Sequence, residues 1–256
     1  MAETFRAFVV DEKNGTYAGS FRQLTVGDLP NQKVLVDIAY SSLNYKDGLA
    51  VTGKGKIVRK FPMVCGIDLA GTVAESADPA FTPGDAVLVN GWGLSETEWG
   101  GYSQRQRVNP DHITRIPKAF TAKQAMAIGT AGYTAMLCVL ALEDAGITPS
   151  QGDVLVTGAA GGVGSVAVAV LAKLGYRVVA STGRPATHEY LRALGAADFI
   201  ARTDLDKVAR PLERRAGPAR SIRSVRKPWG PCWRKPSTRA RLPPAGWRVV
   251  PISRPP

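Results

Sequence analysis

The sequence predicts an α/β protein, a β-rich first part followed by a unit built on a parallel sheet, and three observations predict it. Short alternating segments divided by Gly, Pro and Asp turns fill residues 1 to about 120. The run Val154-Leu-Val-Thr-Gly158-Ala-Ala-Gly161-Gly162-Val-Gly164 reads as a buried strand, a glycine turn and the start of a helix. A further strand, Tyr176 to Ser181, follows where a βαβ unit needs it.

In the first part, apolar residues alternate with polar ones over Lys33 to Tyr40, Ile67 to Glu75 and Ala86 to Asn90, which are expected as strands, with Pro83-Gly84-Asp85 as a tight turn. A helix is expected over Thr121 to Leu142. Thr121 is suited to its N-cap and Gly146 to its end. A β-rich domain that feeds a dinucleotide-binding one leaves a cleft where ligands bind.

In the second part, Asp153 to Thr157 is a short β-branched run, and Val163 to Leu174 is apolar enough to be covered by a sheet. The turn between them, Ala160, Gly161, Gly162, Val163 and Gly164, is the candidate cofactor-binding segment. Gly161 and Gly162 leave room for a pyrophosphate against the backbone, and Gly164 allows close packing of helix on strand, with helix N–H groups facing the anion. An ordinary glycine-rich loop is the plainer alternative; the strand at Tyr176 to Ser181 favours the dinucleotide.

An NAD site carries an acidic residue roughly 20 residues after the glycines, on the ribose hydroxyls. Here the corresponding residues are Ser181, Thr182, Gly183 and Arg184. Hydroxyls and a guanidinium suit a 2′-phosphate, so NADPH is the expected cofactor. A second basic residue, Arg202, follows the third strand, Asp198 to Ile200. The alternative is a solvated arginine on a loop.

A chain of 256 residues accommodates one large or two ordinary domains. No apolar run is expected to span a bilayer and Met1 to Val10 is no signal peptide, so the expected location is the cytoplasm. Cys65, Cys138 and Cys232 are too widely spaced for a disulfide framework or a metal knuckle, and His112 and His188 read as surface residues.

The net charge of +12 sits in one place. Residues 1–209 carry 20 basic and 20 acidic side chains, whereas residues 210–256 carry 13 basic ones against Glu213 alone, with 10 of the 18 prolines and Trp229, Trp233 and Trp247. Neither helix nor strand periodicity is expected past Arg214. Three readings are open for this tail: an arm binding nucleic acid, a disordered segment, and, the favoured one, out-of-frame translation. With free choice of wobble bases, the neighbouring frame from Arg214 can be read as a helix pattern, a strand and a glycine turn.

Several motifs together carry a family resemblance: Ser42-Leu-Asn44-Tyr45-Lys46-Asp47, Thr52-Gly-Lys-Gly55, Gly66-Ile-Asp68-Leu-Ala-Gly71-Thr, Asn90-Gly-Trp92-Gly, Trp99-Gly-Gly101, Ile128-Gly-Thr130-Ala-Gly132-Tyr133 and Thr157 to Gly164. From about residue 5 to Arg210 the chain resembles the medium-chain dehydrogenase/reductase superfamily and, within it, the acryloyl-CoA reductase (quinone oxidoreductase-like) family. The resemblance implies a GroES-like β-rich catalytic domain over residues 1–120 and a linker helix with the first half of a Rossmann NADPH-binding domain over residues 121–209. Residues 210–256 are then a non-native tail, frameshifted and truncated.

It further implies NADPH-dependent reduction of the C=C bond of acryloyl-CoA or a related short enoyl thioester, with hydride passing to the β-carbon and a proton to the α-carbon while donors hold the enolate charge. Asn44 and Tyr45 are the candidates for positioning nicotinamide and substrate, Tyr45 also touching the cofactor, and Asp47 for orienting their loop. A hydrogen-bonded strand end is the alternative for all three. Lys54, Lys56, Arg59 and Lys60 form a basic run that is either solvated or attracts CoA phosphates.

Zinc-dependent members hold their metal with Cys, His and Glu or Asp; here the region reads Leu43-Asn44-Tyr45 and Cys65-Gly66-Ile67-Asp68, and no metal is expected. The implied partner is a small enoyl-CoA substrate, with a homodimer as the family's assembly and with neither membrane nor nucleic acid expected. NADPH:quinone oxidoreduction is the alternative chemistry. An inactive fragment and a basic nucleic-acid-binding protein are the alternatives of another class.

Overall fold

Asn14 and Gly15 reverse the chain between two ten-residue strands, β1 (Thr4–Lys13) and β2 (Thr16–Thr25). Both turn residues have positive φ, 52° and 77°, as a two-residue turn matching the twist of a hairpin requires. Sequence patterning places no strand here, although the Asn-Gly pair is a hairpin signal. The computed structural model describes residues 3–205, 219–224 and 247–250. It divides into two units, residues 1–133 and 134–256.

In the first unit, β1 lies between β2 and the short β4 (Met63–Val64). A second, antiparallel sheet runs in the order β7 (Arg105–Val108), β3 (Val34–Tyr40), β5 (Asp68–Ser76), β6 (Ala86–Asn90) and β8 (Thr114–Arg115). Val34 and Val36 of β3, Leu69 and Val73 of β5, and Val87 and Val89 of β6 supply its core from alternating positions. Backbone bonding from Phe8 N–H to Tyr102 O (2.7 Å) and a bridge between Ala7 and Ser103 tie β1 to the segment that leads into β7. The three expected strands of this part are present, two of them beginning one residue later.

Tyr45 and Asp47, expected on a loop, stand in a helix, α1 (Tyr45–Thr52). Asn44 precedes it in extended conformation, Asp47 at its third position receives the Asn44 N–H, and Gly53 ends it with a φ of 64°. The next helix, α2 (Ala122–Asp144), begins with the capping residue expected: Thr121 Oγ1 accepts from Gln124 N–H (3.2 Å), and Gln124 Oε1 accepts from Thr121 N–H (2.9 Å). Gly146, at φ 73°, follows its end.

This helix is long and apolar enough, by length and composition, to cross a membrane, contrary to the expectation that no such run exists. The physical reason for its composition is packing. Ala125 and Met126 are buried against Ala70 and Ile116, while Ala135, Cys138, Val139 and Leu142 belong to the core of the second unit.

The second unit carries β9 (Asp153–Thr157), α3 (Gly162–Lys173), β10 (Val178–Thr182), α4 (His188–Ala193), β11 (Ala196–Ala201) and α5 (Arg202–Leu205). The strands β11, β10 and β9 are parallel neighbours. Val154, Val156, Val178 and Ala180 pack against Ala167, Val168 and Leu171 of α3, the layered packing a βαβ unit requires.

Two backbone segments beyond Arg214 join this sheet: β12 (Ala219–Ser224) runs parallel beside β9, and β13 (Trp247–Val250) antiparallel beside β12. That corrects the expectation of no strand past Arg214. Main-chain groups on an edge pair with extended chain whatever its side-chain pattern, so period-two alternation is no precondition. The remaining residues of the tail, Trp229 and Trp233 among them, lie outside the described residues, and so does the expectation of disorder there.

Candidate functional site

The carboxylate of Asp68 is fully buried at the first residue of β5 and accepts hydrogen bonds from four residues. Asn90 Nδ2 (2.8 Å) and Thr130 Oγ1 (2.5 Å) reach one oxygen; Asn44 Nδ2 (3.2 Å), the Thr130 N–H (3.0 Å) and Ser42 Oγ reach the other. A buried carboxylate needs such donors to replace its hydration.

The Thr130 N–H turns to Asp68 where α2 breaks at Gly129, whose φ of 50° and ψ of −163° are non-helical. A Cβ at Gly129 would stand 3.1 Å from Asp68 Oδ2. The break therefore allows both the backbone turn and the approach of the carboxylate.

Two sequence-expected residues belong to this cluster. Asn44 gives its amide to Ser42 Oγ (2.7 Å) and to Asp47 Oδ2 (3.2 Å) as well as to Asp68, which fixes the side chain from three sides. Asp47 is fully buried; its carboxylate accepts the N–H groups of Asn44 (2.8 Å) and Ile67 (2.9 Å), tying α1 to the strand end before Asp68. Burial raises its pKa above the ordinary carboxylate value, and the two backbone donors pull against that rise. Asp47 is thus placed to hold Asn44. Tyr45, on the first turn of α1, is 70% exposed.

Ser42, Asp68, Asn90 and Thr130 were not among the expected site residues. Each stands inside one of the family motifs, which was the available signal. Tyr102 closes the cluster from below, its hydroxyl donating to Ser42 O (3.1 Å), and burial pushes its pKa up. Cys65 is fully buried with its thiol pushed up to about 11 by desolvation, the state of a packed side chain. Among the described residues no three His, Cys, Asp or Glu side chains form a metal-binding group.

The second unit places the glycine turn where the sequence expects it. A Cβ on Gly164 would lie 2.3 Å from Gly158 O and 2.7 Å from Ala159 Cα, so only glycine lets α3 approach β9 this closely. Gly161 precedes α3 as its N-cap, and no side chain caps the helix. Gly161 and Gly162 are exposed, Val163 is half-buried and Gly164 is buried. The first-turn N–H groups of α3 have no acceptor within the helix.

Arg184 is brought to this turn: its Nη2 donates to Ala160 O (3.2 Å). Its own N–H donates to Thr182 Oγ1 (3.2 Å), and Thr182 Oγ1 lies 3.3 Å from Thr187 Oγ1. Ser181 is buried, and its carbonyl accepts the Ala159 N–H (3.1 Å). A Cβ on Gly183 would meet open space. Arg202 starts α5, exposed, and among the described residues it forms no ion pair.

Residues 30–141 match the alcohol dehydrogenase GroES-like domain. The chain is 53% identical over 212 residues to acrylyl-CoA reductase AcuI of Ruegeria pomeroyi, covering 82% of this chain and 64% of that protein. The crystal structure of E. coli K-12 YhdH with bound NADPH is 51% identical with a TM-score of 0.79, covering 84% of this chain and 67% of YhdH. That of Bacillus subtilis yhfP with NAD bound is 43% identical with a TM-score of 0.78, covering 80% of this chain and 63% of the other. The chain thus spans about two thirds of the length of these relatives. On its motifs, its two units and these similarities, the chain belongs to the medium-chain dehydrogenase/reductase superfamily and, within it, to the acrylyl-CoA reductase and quinone oxidoreductase-like family.

Proposed function

We propose that the chain is part of an NADPH-dependent reductase of the C=C bond of a short enoyl thioester such as acryloyl-CoA. The observation that carries the cofactor choice is Arg184 held at the glycine turn, with Ser181 and Thr182 at the end of β10 in place of a carboxylate. The cradle fits the group: a Cβ would fill the space at Gly164, and uncapped N–H groups open α3.

Gly161, Gly162, Val163 and Gly164 would hold the pyrophosphate, with Ala160 orienting Arg184. Ser181, Thr182, Gly183 and Arg184 would hold the 2′-phosphate, and Arg202 adds positive charge. Bound NADPH supplies hydride for reduction. Asn44, its amide fixed by Asp68 and Asp47, positions the reacting groups; Tyr45 offers an exposed hydroxyl and ring to cofactor and substrate. The substrate class is supported by the relatives named acrylyl-CoA reductase.

The same reading makes residues 1–120 the catalytic domain and residues 121–209 the NADPH-binding domain, in a homodimer of the cytoplasm. Residues 210–256 are then out-of-frame. The nucleotide sequence across that stretch tests this: a neighbouring frame open through it supports the reading, and stop codons in both neighbouring frames refute it.

The function is tested by following oxidation of NADPH by the full chain with acryloyl-CoA and, separately, with a quinone. Oxidation that depends on acryloyl-CoA supports the proposal. Oxidation by the quinone with no response to the thioester replaces it with quinone reduction, and NADPH binding without turnover assigns this chain as an inactive fragment.

A further inference from the structure

A cavity of about 530 Å³ in the first unit lies along the flank of α1, with Asp47 and Tyr102 in its lining. Phe8 and Phe21 of the β1–β2 hairpin, Leu43 and Val51 line it, and so does Asp47, which accepts the Asn44 N–H. Leu43 is 85% exposed and Phe21 69% exposed, so two large apolar side chains stand in water at the rim. Apolar surface gathered around a cavity of this size is the usual form of a small-molecule site.

The lining also carries one basic side chain. Arg6 lines the cavity with its guanidinium 5.3 Å from the centre of the Phe21 ring, and it forms no ion pair among the described residues. Lys54, Lys56 and Lys60 follow Val51 in the chain and are exposed, outside the lining itself. An occupant with a narrow, weakly polar arm and an anionic end matches both features.

We propose that this groove binds the pantetheine and phosphate portion of an acyl-CoA thioester, with the acyl end directed toward Asn44. The proposal rests on the enoyl-thioester reading and adds to it the site for the carrier. Phe8, Phe21, Leu43 and Val51 flank the arm, and Arg6 attracts the phosphates.

The test is calorimetric titration of the full chain with propionyl-CoA, a saturated ester, in the presence of saturating NADP⁺ so that the dinucleotide turn is occupied. The variants are Phe21→Ala and Arg6→Gln, both at exposed side chains, and Val51→Trp, which fills the groove. Each is expected to weaken propionyl-CoA binding by about tenfold or more while NADPH affinity stays at the wild-type value.

If wild type binds and all three variants bind equally well, the groove is not the site and the thioester reading survives. If wild type does not bind, the thioester reading fails and the groove fails with it. If the variants instead convert a dimer to a monomer and leave propionyl-CoA binding intact, the groove is an interface and the proposal is overturned.

Discussion

Thr130 donates both its backbone N–H (3.0 Å) and its hydroxyl (2.5 Å) to the carboxylate of Asp68, which lies 62 residues earlier in the chain. The first bond exists because Gly129 interrupts α2, and the second because the Thr130 side chain follows the redirected backbone. Together they join the helix to the strand end that also holds Ser42, Asn44 and Asn90.

Asp68→Asn puts an amide among donors that all point at this position. At least one buried donor then lacks an acceptor, and a charge-assisted cluster becomes a neutral one. The expected cost is about 3 kcal/mol of stability, measured by urea denaturation. An unchanged midpoint would show that the cluster contributes nothing to the fold.

Gly129→Ala forces a Cβ to within 3.1 Å of Asp68 Oδ2 at a φ of 50°. Backbone strain and the crowded carboxylate together are expected to cost about 2 kcal/mol, seen as a lowered thermal midpoint. Should the variant gain stability, as alanine does inside an ordinary helix, the break at Gly129 would be wrongly assigned.

In the glycine turn, Gly164→Ala drives the new methyl into Gly158 O and Ala159 Cα. The helix must move off the strand, with a loss of about 2 kcal/mol and a weakening of NADPH binding by about tenfold or more. Fluorescence titration of NADPH against the purified variant checks this; wild-type affinity would place the nucleotide elsewhere.

What the sequence made legible was local. The strand, glycine turn and helix around Gly164 are contiguous, so spacing alone located β9 and α3 to within a residue at either end. Thr121 and Gly146 likewise act within one turn of α2. Asp68 was visible only as part of a motif, because its partners come from residues 42, 44, 90 and 130 and no periodicity links them. The β1–β2 hairpin was missed although Asn14-Gly15 announces it, and β12 was missed because its pairing with β9 uses the main chain.

Asp47 predicts a pH dependence of stability. Burial lifts its folded pKa above 3.8, so between 3.8 and that raised value the folded chain holds a proton that the unfolded chain has released. Stability from this group therefore falls as pH rises through that window and is level above it. Denaturation of wild type and Asp47→Asn across acid pH should show the difference between them changing only there. A difference independent of pH would mean that Asp47 does not titrate as its burial requires.

The cofactor assignment is tested most directly by the affinity of the full chain for NADPH and NADH, before and after Arg184→Glu. Arg184 stands at the turn, donating to Ala160 O, where an NAD site would place a carboxylate. Wild type is expected to bind NADPH more tightly by about tenfold to a hundredfold, and the variant to lose that preference. Equal affinity of the wild type for the two nucleotides, or a preference unchanged by the substitution, would contradict it.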